Sequence, residues 1–165
     1  VSPSPLVVDS ERFYVTGPYD AGGAMIRVKK GPGGFTTEKV FVHAPEEWNS
    51  EVQTPIVFQG HLFAVGKKKR GLFTCVAPDG KQVWTSEGKA SFELGSFLLA
   101  DGMFLLLEGK TGVLRLVEAS TTAYKELASA PVLKGPDVWG PLALSDGKLV
   151  VRDLGHMVCL DLKRR

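Results

Sequence analysis

The chain repeats one pattern of hydrophobic and polar positions four times: an apolar run, a short polar turn and a second apolar run. Two copies turn at Asp101-Gly102 and at Asp146-Gly147, a third turns at Gly60, and a looser first copy turns at Ser10. The turns recur about every 45 residues, a spacing typical of repeat architectures. An Asp-Gly pair between apolar runs favours a type I′ hairpin, because both central residues need positive φ. The pattern therefore predicts four similar β-hairpins.

Further apolar runs follow each hairpin. A third run lies at residues 24–28, 71–77, 112–118 and 156–162. A fourth run follows in the second and third repeats, as "KQVWTSE" and "TTAYKEL". Residues 121–133 are the best helix candidate, but they lack an apolar stripe at helical spacing and reach Pro131, which favours a strand and a loop. We interpret each repeat as a meander of four short antiparallel strands.

These meanders predict an all-β fold built from β-propeller blades, about three and a half in number. The predicted blades cover residues 1–45, 46–92, 93–136 and 137–165, and the last one lacks its fourth strand. A blade cannot cover both of its own apolar faces, so it needs a neighbour on each side. We therefore expect part of a larger propeller, completed by the remaining blades or by a second copy of the chain.

The segment "LFTCVAPDGKQVW" resembles the repeat of pyrroloquinoline-quinone (PQQ)-type propellers. Gly80, Lys81 and Trp84 match the Gly, Lys and Trp of the motif by which blades of that family dock. Thr74 and Val76 depart from the family's usual Ala and Asp or Asn. The stretch from "WGPLALSDGKLVVRD" to "MVCLDL" is similar to the final blade of non-enzymatic PQQ-like repeat proteins. The resemblance implies a fold, and an exported protein in the periplasm or outside a bacterial cell.

The three tryptophans have separate predicted roles. Trp84 is expected to pack between adjacent blades, with its indole N–H bonded to the next blade. Trp139, just before "GPLAL", is given a similar status. Trp48 lies in the acidic linker "PEEWNSE", and we interpret it as a rim residue or a contact for a partner.

Composition and charge narrow the classes of function. The net charge of +2 is too small to favour nucleic acid or a membrane surface as a partner. No apolar run approaches the roughly 18 residues of a membrane span. The one concentration of charge comprises Lys67, Lys68, Lys69 and Arg70. This segment is either a solvated hairpin tip or a basic patch for an acidic partner or an anionic glycan.

The sequence offers no catalytic constellation. Cys75 and Cys159 lie in separate strand-like runs and are expected to be buried free thiols. His43, His61 and His156 are isolated from one another, and the turn-adjacent His61 and His156 are expected to be solvated or capped turn residues. No residue is therefore predicted to be catalytic, to ligate a metal or to bind a cofactor.

Three functional hypotheses follow. The first is a non-catalytic PQQ-like propeller that serves as a protein-interaction scaffold. The second is part of a PQQ- and Ca²⁺-dependent dehydrogenase whose active site lies mostly in other blades; such a site needs oxygen ligands and a catalytic base. The third is a glycan-binding propeller that uses Trp48 and the Lys67–Arg70 segment as contacts.

Overall fold

The computed structural model describes residues 3–66 and 71–163, whose regular elements are all β-strands. The first sheet contains β1 (Leu6–Val7), β2 (Arg12–Thr16), β3 (Gly23–Gly31) and β4 (Gly34–His43). The second contains β5 (Ile56–Phe58), β6 (His61–Gly66), β7 (Leu72–Val76) and β8 (Gln82–Thr85). The third contains β9 (Phe97–Ala100), β10 (Met103–Leu107), β11 (Val113–Glu118) and β12 (Glu126–Pro131). The fourth contains β13 (Ala143–Ser145), β14 (Lys148–Arg152) and β15 (Met157–Asp161).

Every sheet is an antiparallel meander in chain order, and none is closed into a barrel. Three sheets have four strands and the fourth has three. This confirms the predicted all-β, propeller-like fold with an incomplete last sheet. Residues 121–133 form no helix, in line with the missing apolar stripe, but the strand β12 lies at Glu126–Pro131 rather than at the predicted run of residues 121–127.

The hairpin turns adopt the backbone that the sequence pattern predicted. Gln59-Gly60, Asp101-Gly102 and Asp146-Gly147 all have positive φ at both central residues, between 47° and 75°. The turn between β1 and β2 differs, because Asp9 closes it through its side chain. Its Oδ1 atom accepts hydrogen bonds from the backbone N–H groups of Glu11 and Arg12, at 2.9 and 2.8 Å. The repeated hairpins thus fix the second strand of each sheet.

The second strand of the third sheet is buried on both faces. Phe104 and Leu106 on β10 pack into an aromatic-rich cluster shared with the first two sheets. Leu105 and Leu107, which point the other way, pack into a cluster shared with the fourth sheet. This two-sided burial explains why the strand reads as a continuous apolar run, because the usual polar alternation belongs to strands with one wet face.

The outer strands of the first three sheets share a β-bulge at the same register. The pairs that directly precede the bulge are Met25–Phe41, Cys75–Trp84 and Leu116–Ala128. A bulge leaves one residue of the outer strand unpaired and bends the strand. The three sheets are therefore structural repeats of each other, with Phe41, Trp84 and Ala128 at equivalent positions.

Two side chains that were expected to be buried are exposed. The first is Cys159, because the outward face of β15 has no neighbouring sheet among the described residues; Cys75 is buried as predicted. His43, for which no environment was predicted, is buried, because β4 places it between the first and second sheets. Trp139 lies in a linker on the surface, not between sheets, and is 42% exposed.

Candidate binding site at the loop end of the sheets

Connections from all four sheets meet at one end of the molecule and enclose a cavity of about 740 Å³. We call it the loop cavity. It is lined by residues 18–19, 51–53, 137, 139–141 and 152–154, together with Leu94. These segments are the β2–β3 and β14–β15 connections and the linkers between successive sheets. The cavity thus combines residues that are far apart in the sequence.

Hydrogen bonds between the linkers hold the walls of the loop cavity. Gln53 Nε2 donates to the carbonyl oxygen of Trp139 at 3.4 Å, and Ser96 Oγ donates to that of Gly140 at 2.7 Å. The first linker is tied to the first sheet, because the Ser50 N–H donates to Thr16 Oγ1 at 3.1 Å. These bonds give the loops fixed positions on the strand scaffold.

Backbone strain gathers around the same cavity. Six described residues other than glycine have positive φ, and three of them occupy the hairpin turns. The other three are Tyr19 (59°), Asp137 (57°) and Glu93 (50°). Tyr19 and Asp137 line the cavity, and Glu93 precedes Leu94, which also lines it. Strained conformations of this kind cost energy and cluster at functional sites.

Large apolar side chains surround the opening. Tyr19 is 76% exposed, Leu154 71% and Trp139 42%, and all three line the loop cavity. Soluble proteins seldom leave several such side chains exposed together unless they contact a ligand or a partner. Trp and Tyr suit this role because each offers a broad apolar ring with a polar atom at its edge.

The two buried carboxylates of the cavity, Asp153 and Glu51, differ in their hydrogen bonding. Asp153 is buried and accepts hydrogen bonds from the backbone N–H groups of Gly135, Gly155 and His156. Burial alone would raise the pKa of Asp153, but these three bonds outweigh it and hold that pKa below its usual value. Glu51 is only 8% exposed, and no described residue forms an ion pair or hydrogen bond with its carboxylate.

Two of the three residues of the predicted docking motif contact a neighbouring sheet, and all three lie away from the loop cavity. Trp84 is buried on β8, and its Nε1 donates to the carbonyl oxygen of Ser120 in the third sheet at 3.1 Å. The carbonyl oxygen of Gly80 accepts a bond of 2.6 Å from His43 Nε2 in the first sheet. Lys81 is exposed and pairs with Asp79, with Nζ and Oδ2 3.1 Å apart. In both interfaces an outer strand therefore contacts the turn that follows the third strand of the next sheet.

The structure places Trp48 in the core rather than on a rim. Its side chain is 2% exposed and lies beside Tyr14 and His43, with ring centroids 5.2 and 5.4 Å away. The linker folds inward at this point, so the ring is not available to a glycan or a partner. The other predicted partner contacts, Lys67 to Arg70, lie outside the described residues.

Sequence reasoning missed a buried hydrogen-bond chain between the first two sheets. His43 Nε2 must carry a proton, because the Gly80 carbonyl oxygen that it contacts can only accept. The Tyr14 hydroxyl and His43 Nδ1 lie 3.0 Å apart and share a hydrogen bond, in which the hydroxyl donates when Nδ1 carries no proton. Burial raises the pKa of Tyr14, which keeps that hydroxyl protonated. No spacing in the sequence indicates these hydrogen bonds, because Tyr14, His43 and Gly80 are brought together only by the packing of the sheets.

Residues 3–66 and 71–163 contain no group of three or more His, Cys, Asp or Glu side chains arranged to hold a metal ion. Within the same residues no helix is long and apolar enough to cross a membrane.

Comparison with known proteins adds no family assignment. No protein-family model matches the chain, and no curated protein matches it at a significant level.

Proposed function

We propose that this propeller-like protein is a non-catalytic scaffold that binds another protein through the loop cavity. The observation that carries the proposal is the exposure of Tyr19, Leu154 and Trp139 around one opening of about 740 Å³. Aromatic residues are enriched in the energetic centres of protein interfaces. Binding residues are also found disproportionately on loops held by a rigid scaffold.

The arrangement of the loops supports binding without large rearrangement. The Gln53–Trp139 and Ser96–Gly140 hydrogen bonds fix the linkers before a partner arrives. A preorganised surface loses less conformational entropy on binding, which increases affinity. The partner therefore meets a surface whose linkers are already connected by hydrogen bonds.

The resemblance of Gly80, Lys81 and Trp84 to the docking motif supports placing this scaffold among the PQQ-like repeat proteins. On that basis we also propose an exported protein of the bacterial periplasm or cell surface. The alternative is part of a PQQ- and Ca²⁺-dependent dehydrogenase. The two proposals differ in what the purified protein carries: stoichiometric Ca²⁺ with a quinone absorbance band would favour the enzyme.

A comparison of variants tests the scaffold proposal. Wild-type protein, Trp139→Ala and Val83→Ala are immobilised and exposed to periplasmic extract, and retained proteins are identified. Val83 is the matched control, because it is as exposed as Trp139 but lies on β8. We expect a partner that wild type and Val83→Ala retain and Trp139→Ala loses. Equal retention by all three, with a defined partner, would contradict the proposed surface.

A further inference from the structure

A second groove, of about 580 Å³, lies between the third and fourth sheets. We call it the inter-sheet groove. Leu105, Leu114 and Leu116 form its wall in the third sheet, and Leu144 and Leu162 form its wall in the fourth. It lies at the hairpin end of the sheets, opposite the loop cavity, because Asp101 and Gly147 of the hairpin turns also line it. The groove is continuous with the apolar cluster that joins these two sheets.

The equivalent space is filled by an aromatic ring in both preceding interfaces. Phe41, next to the bulge of the first sheet, reaches the second sheet so closely that a Cβ atom on Gly80 would lie 2.8 Å from its ring. Trp84, next to the bulge of the second sheet, contacts Tyr124 of the third, with ring centroids 6.0 Å apart. Ala128 holds the same register in the third sheet and is exposed in the groove. The groove therefore exists because a methyl group stands where the repeats place a ring.

The far side of the groove also has an equivalent. Met103 pairs with Glu118 in the third sheet and Lys148 pairs with Asp161 in the fourth. Ser120 follows Glu118 by two residues, and its carbonyl oxygen accepts the Trp84 N–H. Lys163 follows Asp161 by two residues and lines the groove. Lys163 therefore holds in the fourth sheet the position that Ser120 holds in the third, but no aromatic ring of the described residues occupies the space beside it.

The cation at the rim of the groove is paired within the protein, because Lys163 Nζ lies 2.8 Å from Asp146 Oδ1. Arg115 also borders the groove, but it pairs with Leu106 on β10, so its side chain lies on the opposite face of the third sheet. There it bonds to Glu108 at 2.6 Å and to Glu126 at 2.8 Å. Neither cation is therefore free to pair with an anion, which favours an uncharged occupant. A volume of about 580 Å³ falls within the range of small-molecule sites, and the walls are mostly apolar as in such sites.

We propose that the inter-sheet groove binds a small, neutral, planar aromatic molecule, which occupies the place that Phe41 and Trp84 fill in the other interfaces. A flat ring fits because the two walls are sheet faces, and aliphatic side chains on both walls contact its faces. The site is separate from the loop cavity and does not depend on the proposed scaffold function.

The test is a titration with indole, followed by NMR at the methyl groups of the protein. We expect saturable shifts at Ala128, Ala130 and the leucines that line the groove. Ala128→Trp fills the groove with the ring that the repeat provides elsewhere, so it should weaken indole binding at least tenfold. Leu127→Trp is the matched control, because it adds the same ring at the exposed bulge position beside Ala128, outside the groove, and should leave binding unchanged.

Three outcomes would overturn the proposal. They are shifts that do not saturate up to the solubility of indole, shifts that persist in Ala128→Trp, and cyclohexanol binding as tightly as indole. If Ala128→Trp lowers the thermal transition temperature, Ala128→Leu takes its place, and a smaller but measurable loss of indole binding is then expected. Unchanged binding in a folded Ala128→Leu protein would count against the groove as the site.

Discussion

Trp84 joins two sheets through both its ring and its indole N–H, and this dual role defines a prediction. Trp84→Ala removes the buried ring and leaves the Ser120 carbonyl oxygen without its donor. We expect a loss of about 3–5 kcal/mol in the free energy of unfolding, the usual range for a core aromatic replaced by alanine. Urea denaturation followed by circular dichroism measures the loss.

Trp139→Ala is the control for Trp84→Ala, because it makes the same chemical change in a half-exposed side chain outside the inter-sheet clusters. It should cost less than about 1 kcal/mol, in the range of surface substitutions. Equal losses for the two variants would show that Trp84 does not couple the sheets.

The two cysteines should react at very different rates. Burial raises the pKa of the Cys75 thiol to about 12, so almost no thiolate forms at neutral pH. Cys159 is exposed on β15. We expect a thiol reagent at pH 7.5 to label one cysteine in the native protein, shown by peptide mapping to be Cys159, and two in urea. Rapid native labelling of Cys75 would mean that β7 is not buried.

Asp153 should make stability depend on pH in the acid range. Its pKa is lowered in the folded state, so it stabilises the fold above the ordinary aspartate pKa of about 3.9, and this contribution disappears as pH falls through the folded value. Asp153→Asn should therefore lower the thermal transition temperature at pH 7, and the difference from wild type should shrink below about pH 4.

The control for the Asp153 experiment is Asp101→Asn in the exposed β9–β10 hairpin, where asparagine also tolerates positive φ. Thermal melts of both variants at several pH values make the comparison. A difference between wild type and Asp153→Asn that does not change with pH would contradict the role assigned to the carboxylate.

At the level of elements, the close contact between the first and second sheets depends on Gly80, which has no side chain to collide with Phe41. Gly80 has φ of 90°, and a Cβ atom there would lie 2.8 Å from the Phe41 ring. Gly80→Ala should therefore destabilise the protein by about 1–3 kcal/mol, the usual cost of such a strained residue, with the steric contact added. Gly33→Ala is the matched control, because an added Cβ has no neighbour within 4 Å. Chemical denaturation that shows equal stability for both variants would contradict this account of the interface.

The hairpins were predictable because their signals are local. Asp101-Gly102 and Asp146-Gly147 specify their turns by backbone conformation. The outer strands β4 and β12 were predicted less well, since no run was identified for β4 and the run proposed for β12 lies a few residues too early. Trp48 was misplaced and the burial of His43 was not predicted, because both depend on how the first linker folds between two sheets. The linker sequence is acidic and predicts a solvated segment, and nothing in its own pattern indicates that it turns inward.

At the level of the whole molecule, the loop cavity could not be predicted from the sequence. Gln53 and Trp139, which share a hydrogen bond across it, are 86 positions apart. No period or motif links them, since their contact results from the packing of the sheets against one another. Trp139 was expected to have a status similar to that of Trp84, but it lies in a surface linker and is half exposed.

The stacked architecture predicts an order of local stability. Each sheet contacts mainly its neighbours. The free energy of unfolding of such an array is close to the sum of the contributions of the single sheets and of the interfaces between them. The second and third sheets have a neighbour on both sides and share an aromatic cluster. Hydrogen exchange should therefore be slowest in β6 and β10 and faster in the three-stranded fourth sheet. Uniform protection across all four sheets would indicate a single cooperative unit instead.

The two buried faces of β10 also matter while the chain is being made. A ribosome delivers this strand before β13 to β15, so Leu105 and Leu107 meet water until the following sheet emerges. A short apolar stretch without charge or proline is a nucleus for aggregation during that interval. Nascent chains halted after β12 should therefore bind chaperones more strongly than chains released after β15.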